Sequence, residues 1–227
     1  MRRHMVQRFG GGTEVRVSQV QQTERRTGER SPLAKADWRY VEATALDDFA
    51  APEWDLLGGQ RGPFYAEQQA AQVLRLLSAS RDDPSFGYQI NNYGHCLQAA
   101  TMAMRDGCEE EDIVVALLHD VGFVTCPDMH GEFAAALLGA YVSERNHWML
   151  RRHAIFQQVH CNGLSGNQPD ERERWRGHPY FAWTERFVAR YDQNSMDANY
   201  ENAPLEAFAP MVQRIFARPP KPPVYPE

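Results

Sequence analysis

The sequence of 227 residues predicts an all-α fold, and three observations carry this prediction. Apolar residues recur at steps of three and four in seven segments, which is the pattern of amphipathic helices. No segment shows a convincing alternation of apolar and polar residues, as a half-buried strand would. A chain of this length fits one domain with one core. We therefore expect a compact helical bundle.

The first two predicted helices cover residues 67–80 and 88–105. An apolar stripe at helical spacing runs along the first, which ends before Pro84 because proline cannot continue a helix. In the second helix, Met102 follows His95 by seven residues, or two helical turns, so the two side chains share a face. The imidazole of His95 is therefore expected to point inward.

The third predicted helix, residues 110–120, runs through an apolar stretch and ends with the adjacent His119 and Asp120. Acidic residues in its first turn suit the positive end of the helix dipole. Gly122 is expected to stop the helix. The His-Asp pair is thereby left at the end of a buried helix, where a metal ion could reach it.

Four further helices are predicted downstream, and they cover residues 130–142, 146–160, 179–191 and 205–218. His130 begins the first, His153 lies inside the second, and Asp192 directly follows the third. The polar stretch 163–177 contains Pro169 and alternating charges, and is expected to be a surface excursion. Each of the first three helices therefore brings a possible metal ligand.

The rest of the chain is expected to contribute little to the core. Residues 1–36 contain three consecutive glycines and few large apolar residues, so they are predicted to be a disordered basic arm. Residues 37–218 are predicted to form the folded domain. Within it, residues 38–63 are aromatic and turn-rich and are expected to wrap onto the helical body. Residues 219–227 form a Pro-rich tail.

The net charge of −6 is unevenly distributed. Residues 1–36 carry eight basic and three acidic residues, a charge of +5, which leaves −11 for the remainder. A folded part with this acidic balance argues against nucleic acid as a partner.

The four cysteines show no CxxC spacing, and no secretory segment precedes them, which is typical of reduced thiols in a cytoplasmic protein. No segment approaches 18 consecutive apolar residues, so a membrane span is not expected.

Six of the eight histidines lie between Tyr93 and His160. An adjacent His-Asp pair can serve two ions, because the imidazole binds one while the two carboxylate oxygens bridge to a second. A single buried histidine is more often a hydrogen-bonded core residue. Several imidazoles and carboxylates directed inward without partners would each cost roughly 1–3 kcal/mol. The set therefore favours metal binding, and its candidate members are His95, His119, Asp120, His130, His153 and Asp192.

This arrangement resembles the HD-domain superfamily, all-helical metalloproteins named after the His-Asp pair, over roughly residues 65–216. It looks most like the mixed-valent diiron oxygenase branch, which contains myo-inositol oxygenase and an oxygenase that cleaves a hydroxylated phosphonate. The resemblance implies that these six residues hold two irons, Fe(II) and Fe(III), between the core helices. It also implies that Asp120 is the bridging, catalytically essential carboxylate.

The implied function is that of a nonheme diiron oxygenase. Such an enzyme uses O2 to oxidise a C–H bond of a small hydroxylated organic substrate, with or without C–C or C–P cleavage. The alternative is a metal-dependent phosphohydrolase of nucleotides or phosphate monoesters, in which a single Mn, Co or Zn ion activates water. A catalytically silent metal-binding module is the third class considered.

Three further residues are candidates for catalytic roles near the metal. Tyr88 or Tyr93 could cap the metal until substrate displaces it, as a Tyr/Glu pair does in the phosphonate relative. His160 could bind substrate. Phe123 and Gln157 occupy positions where that relative has cationic groups, so we expect phosphonate dianions to be poor substrates. If Gln157 faces the pocket, Gln157→Lys is expected to improve their binding.

Overall fold

A computed structural model describes residues 31–222. This part of the chain is all-helical and contains no strand, which confirms the predicted fold class. The predicted disorder of residues 1–30 and the end of the Pro-rich tail, residues 223–227, lie outside the described residues. Backbone contacts divide the chain into two compact units, Met1–Pro63 and Phe64–Glu227.

The described part of the first unit contains a short 3-10 turn, Leu46–Asp48, and the beginning of helix α1, Ala51–Ala79. The prediction that residues 38–63 are turn-rich throughout was wrong from Ala51 onward. Two signals start this helix early: Pro52 lies in the first turn, where proline is tolerated, and Glu53 accepts a hydrogen bond from the Ala50 N–H at 3.1 Å. The helix then continues through Gly58, Gly59 and Gly62, although each glycine costs about 1 kcal/mol.

In the second unit α1 is followed by six more α-helices among the described residues. They are α2 (Asn92–Arg105), α3 (Glu110–Leu118), α4 (His130–Leu138), α5 (Glu144–Gln157), α6 (Phe181–Phe187) and α7 (Leu205–Phe216). A π-helical turn, Val188–Asp192, continues α6 directly. No helix in the described stretch is both long and apolar enough to cross a membrane.

Helix α2 begins at Asn92 and not at residue 88, which corrects the predicted start. The Asn91 side chain accepts a hydrogen bond from the Gly94 N–H at 3.0 Å and so caps the helix. Just before it, Phe86 and Gly87 adopt positive φ angles of 54° and 104°, which no helix contains. Tyr88 therefore lies in a turn and does not share a helical face with His95.

Helix α3 forms the centre of the second unit. All its residues from Ile113 to Leu118 are buried, and it packs against α2 and α7. Its first turn is joined to α5 by polar contacts, because the Asn146 side chain donates to Glu111 at 2.9 Å and to Asp112 at 2.7 Å. The end of α3 that carries the His-Asp pair is thereby held at a fixed place beside α5.

Helices α4 and α5 approach each other closely at Gly131. A Cβ atom at this position would lie 2.6 Å from the backbone oxygen of Leu150 and 3.2 Å from the ring of His153. Only glycine permits this approach. It brings His130, the preceding residue, next to the helix that carries His153.

Candidate metal centre

Five elements deliver the six predicted ligands to one place in the core. His95 comes from the first turn of α2, His130 from the start of α4 and His153 from α5. His119 and Asp120 directly follow α3, and Asp192 ends the π-helical turn. Their side chains are between 0% and 14% exposed.

Three of these side chains form what we call the closed pocket: His95, His119 and Asp192. The Nε2 atoms of the two histidines lie 3.1 Å apart, and each lies 3.7 Å from Oδ1 of Asp192. None of the three side chains is more than 4% exposed. Their donor atoms all lie within 4.8 Å of one another, which is close enough to share an ion.

The other two histidines, His130 and His153, form what we call the open pocket. Their Nε2 atoms lie 3.2 Å apart. The His130 side chain is 14% exposed, the most of the six, whereas that of His153 is 1% exposed. This pocket is therefore the one that solvent reaches.

Asp120 lies between the two pockets and faces both. Its Oδ2 is 3.5 Å from Nε2 of His95 in the closed pocket. Its Oδ1 is 3.1 Å from Nε2 of His153 and 3.4 Å from that of His130. Oδ1 also lies 3.8 Å from Nε2 of His119. One oxygen is thus nearest to His95 and the other lies near the remaining three imidazoles, so Asp120 contacts both pockets, as a bridging ligand requires.

The four imidazoles are oriented by hydrogen bonds on their other nitrogen. In each ring Nδ1 lies near a backbone carbonyl: Ser195 at 3.1 Å from His95, Ala116 at 2.9 Å from His119, Pro127 at 2.7 Å from His130 and Leu150 at 2.8 Å from His153. A carbonyl can only accept, so Nδ1 carries the proton and donates it. In the neutral rings Nε2 then offers a lone pair to the centre of the site, which is the second-shell pattern of metal-bound histidines.

This geometry fits a cation in each pocket. Two Nε2 lone pairs at 3.1 or 3.2 Å repel each other unless a proton or a metal ion lies between them. Two imidazole nitrogens bound at right angles to one ion, each about 2.1 Å away, would be about 3 Å apart. In addition, Oδ2 of Asp192 is buried with no hydrogen-bond partner in the described structure. Imidazole and carboxylate ligands without thiolate suit Fe, Mn, Co, Ni or Zn.

The electrostatics of the cluster also favour positive charge. Burial alone would lower the pKa of His119, but the Asp120 and Asp192 carboxylates outweigh it and raise this pKa to about 9. Burial likewise opposes ionisation of Asp120, yet the neighbouring His119 and His153 hold its pKa well below the usual range. The pKa of His95 is lowered, first by burial and then by His119.

The π-helical turn Val188–Asp192 positions the side chain of Asp192 in the site. A turn of this kind is rare and is found mostly at functional sites. It is tied to the site by Ser195, whose hydroxyl donates to the Tyr191 carbonyl and whose own carbonyl accepts the His95 Nδ1–H. The sequence placed Asp192 after an ordinary helix, because nothing in the local apolar pattern distinguishes a π turn.

Gln157 contacts a candidate ligand, a role that the sequence interpretation missed. Its Nε2 donates to Oδ1 of Asp192 at 2.8 Å. The sequence does indicate that Gln157 points toward the site, since it follows His153 by four residues and so lies on the same face of α5. Gln157 does face the site, but its amide is engaged with a carboxylate.

The three candidate catalytic residues lie apart from this cluster. Tyr88 is 58% exposed. The Tyr93 hydroxyl accepts a hydrogen bond from Arg81 at 3.0 Å, and His160 is exposed in a 3-10 turn after α5. In residues 31–222 no hydrogen bond or ring contact joins any of the three to a predicted ligand. Phe123, by contrast, lies beside the open pocket, with its ring centroid 5.7 Å from that of His130.

Comparisons of the sequence with protein-family models and with curated proteins gave no match.

Proposed function

We propose that the protein is a nonheme diiron oxygenase that uses O2 to oxidise a C–H bond of a small hydroxylated organic substrate. One observation carries the proposal: Asp120 lies between two pairs of imidazoles, with Oδ2 nearest to His95 of one pair and Oδ1 nearest to His130 and His153 of the other. A one-ion site has no need of the second pair. Bound iron would supply the electron transfer that the use of O2 requires, which side chains alone do not provide.

The two pockets offer different numbers of protein ligands for a metal ion, which supports a different role for each pocket. The closed pocket offers His95, His119 and Asp192 together with one oxygen of Asp120. The open pocket offers only His130, His153 and the other oxygen. A site with fewer protein ligands keeps positions for exogenous molecules. We therefore assign substrate binding to the open pocket.

The chain's own residues would bind and orient in this reaction. The Nδ1–H groups of the four histidines hold the imidazoles in place through backbone carbonyls, so the donor atoms are preorganised. The Phe187 ring lies 5.6 Å from that of His119 and excludes water on the core side. Phe123 supplies an apolar wall beside His130, which suits a substrate whose nearby part is uncharged.

The test is metal analysis of protein produced with iron. We expect close to two irons per chain, and a paramagnetic resonance signal from a coupled Fe(II)/Fe(III) pair after partial oxidation. O2 consumption is then screened with small hydroxylated compounds. A content of one ion per chain, with no coupled signal, would contradict the oxygenase.

The second candidate is a metal-dependent phosphohydrolase that uses Mn, Co or Zn. It is favoured by the closed pocket, which with Asp120 offers two imidazoles and two carboxylates and is a sufficient one-ion site by itself. Hydrolysis of phosphate monoesters by protein with one ion per chain would support this candidate. It would also assign the open-pocket histidines to a supporting role.

A further inference from the structure

Gln157 connects the two pockets through helix α5. This helix carries His153 into the open pocket, and one turn later its last residue, Gln157, reaches the closed pocket. There the amide Nε2 donates to Oδ1 of Asp192 at 2.8 Å. This is the same oxygen that lies 3.7 Å from Nε2 of both His95 and His119. Gln157 therefore acts on the atom with which Asp192 faces an ion.

The Asp192 carboxylate faces the His95 and His119 imidazoles at 3.7 Å, beyond the distance of a hydrogen bond. Its other oxygen, Oδ2, is buried without a hydrogen-bond partner among the described residues. Across residues 31–222, the Gln157 amide makes the one side-chain hydrogen bond within 3.5 Å to this carboxylate. The two oxygens of an ionised carboxylate are equivalent, so what this contact fixes is the plane of the carboxylate. The Gln157 amide thereby restricts rotation of the Asp192 side chain.

We propose that Gln157 is a positioning residue for the closed pocket: it holds Asp192 in the orientation that binds metal, without itself being a ligand. The inference rests on the proposed metal-binding function. Outer partners of this kind typically change metal affinity by about 10- to 100-fold. Loss of the Gln157 donor should therefore weaken the ion of the closed pocket by about that factor, while the His130 and His153 pair is left intact.

The contact between Gln157 and Asp192 changes the expected effect of a cationic side chain at position 157. The sequence suggested that Gln157→Lys would improve the binding of anionic substrates. At 2.8 Å from the Gln157 amide, however, Asp192 is the nearest anion, and a lysine ammonium would pair with it. We now expect Gln157→Lys to lower the metal content of the closed pocket and not to create an anion site.

The experiment compares Gln157→Met with Gln158→Met. Methionine has nearly the length of glutamine but no N–H donor. Gln158 is the matched control, because its side-chain oxygen accepts a hydrogen bond from the Gln168 N–H at 2.7 Å, in the segment that follows α5. Co2+ is titrated into each full-length apo protein, and its visible absorption reports the ligand geometry of each ion. Competition with a chelator yields the two dissociation constants.

For Gln157→Met we expect a changed Co2+ spectrum and a tighter-site dissociation constant about 10- to 100-fold higher. For Gln158→Met the Co2+ spectrum and the dissociation constant should match those of the unmodified protein. The thermal unfolding midpoints of the two apo variants should fall by similar amounts. If Gln157→Met does not fold, Gln157→Leu, which also lacks the N–H donor, is measured with the same expectation. Unchanged affinity and spectrum in a folded variant that binds two ions overturn the inference alone. If the unmodified protein binds no metal, the proposed function itself fails.

Discussion

The closed and open pockets use the same kind of imidazole pair but differ in how the chain supplies and shields it. The closed pocket gathers His95, His119 and Asp192 from elements far apart in sequence, and none of these side chains is more than 4% exposed. The open pocket takes His130 and His153 from two neighbouring helices and exposes 14% of His130. Under the proposed function, this difference would let one pocket retain an ion and the other admit a ligand. Two predictions test this contrast, and a third tests a helix contact away from both pockets.

The largest effect is expected where the two pockets share a ligand. Asp120→Ala removes the oxygens that face His95 on one side and His153 on the other. Both ions should be lost together, with a drop in affinity beyond the roughly 100-fold that losing an outer partner can cost. Metal content per chain after gel filtration measures this. Asp55→Ala, at an exposed position of α1, is the control. Retention of one tightly bound ion by Asp120→Ala would show that Asp120 serves a single pocket.

A smaller, one-sided effect is expected when only the open pocket is altered. His130→Ala should leave one ion per chain, because His95, His119, Asp120 and Asp192 all remain. His95→Ala should instead remove the ion of the closed pocket. Metal stoichiometry and the Co2+ spectrum of each variant distinguish the two outcomes. If His130→Ala keeps two ions and full activity, His130 is a structural residue at the start of α4.

The smallest effect concerns Glu111, which joins α3 to α5 away from both pockets. Burial alone would raise its pKa, but hydrogen bonds from Ser143, Arg218 and Asn146 outweigh burial and lower it to about 2 from an ordinary 4.5. A lowered carboxyl pKa stabilises the fold above about pH 4.5, and this stability is lost as the pH falls toward 2. After allowance for solvent screening we expect about 1–2 kcal/mol.

Glu111→Gln should therefore unfold at lower denaturant concentration at neutral pH and lose less stability on acidification. Urea titrations of metal-free protein between neutral pH and pH 3 measure this without interference from metal release. Glu109→Gln, at the residue before α3, is the control. A parallel acid dependence in Glu111→Gln and unmodified protein would contradict the assignment.

Much of the fold could be predicted from local patterns. The apolar runs of α3 and α4, and the starts of α3, α4 and α7, follow from helical periodicity. The start of α1 was predicted wrongly, because Gly58 and Gly59 favour a turn while the capping signal at Glu53 extends over only one helical turn. The start of α2 was predicted four residues too early, because no pattern in the sequence indicates the positive φ of Phe86.

For the candidate site, the sequence by itself determined which residue types could hold metal, that His95 lies on a buried helix, and that His119 and Asp120 lie at the end of another. Helical spacing specifies the face on which a side chain lies, so these assignments need only local information. Only the tertiary structure decided which imidazoles pair, that Asp120 lies between the two pairs, and that Gln157 contacts Asp192. These are distances between elements. They depend on how closely helices approach each other, and Gly131 permits the close approach of α4 and α5. They also depend on the π-helical turn that positions Asp192.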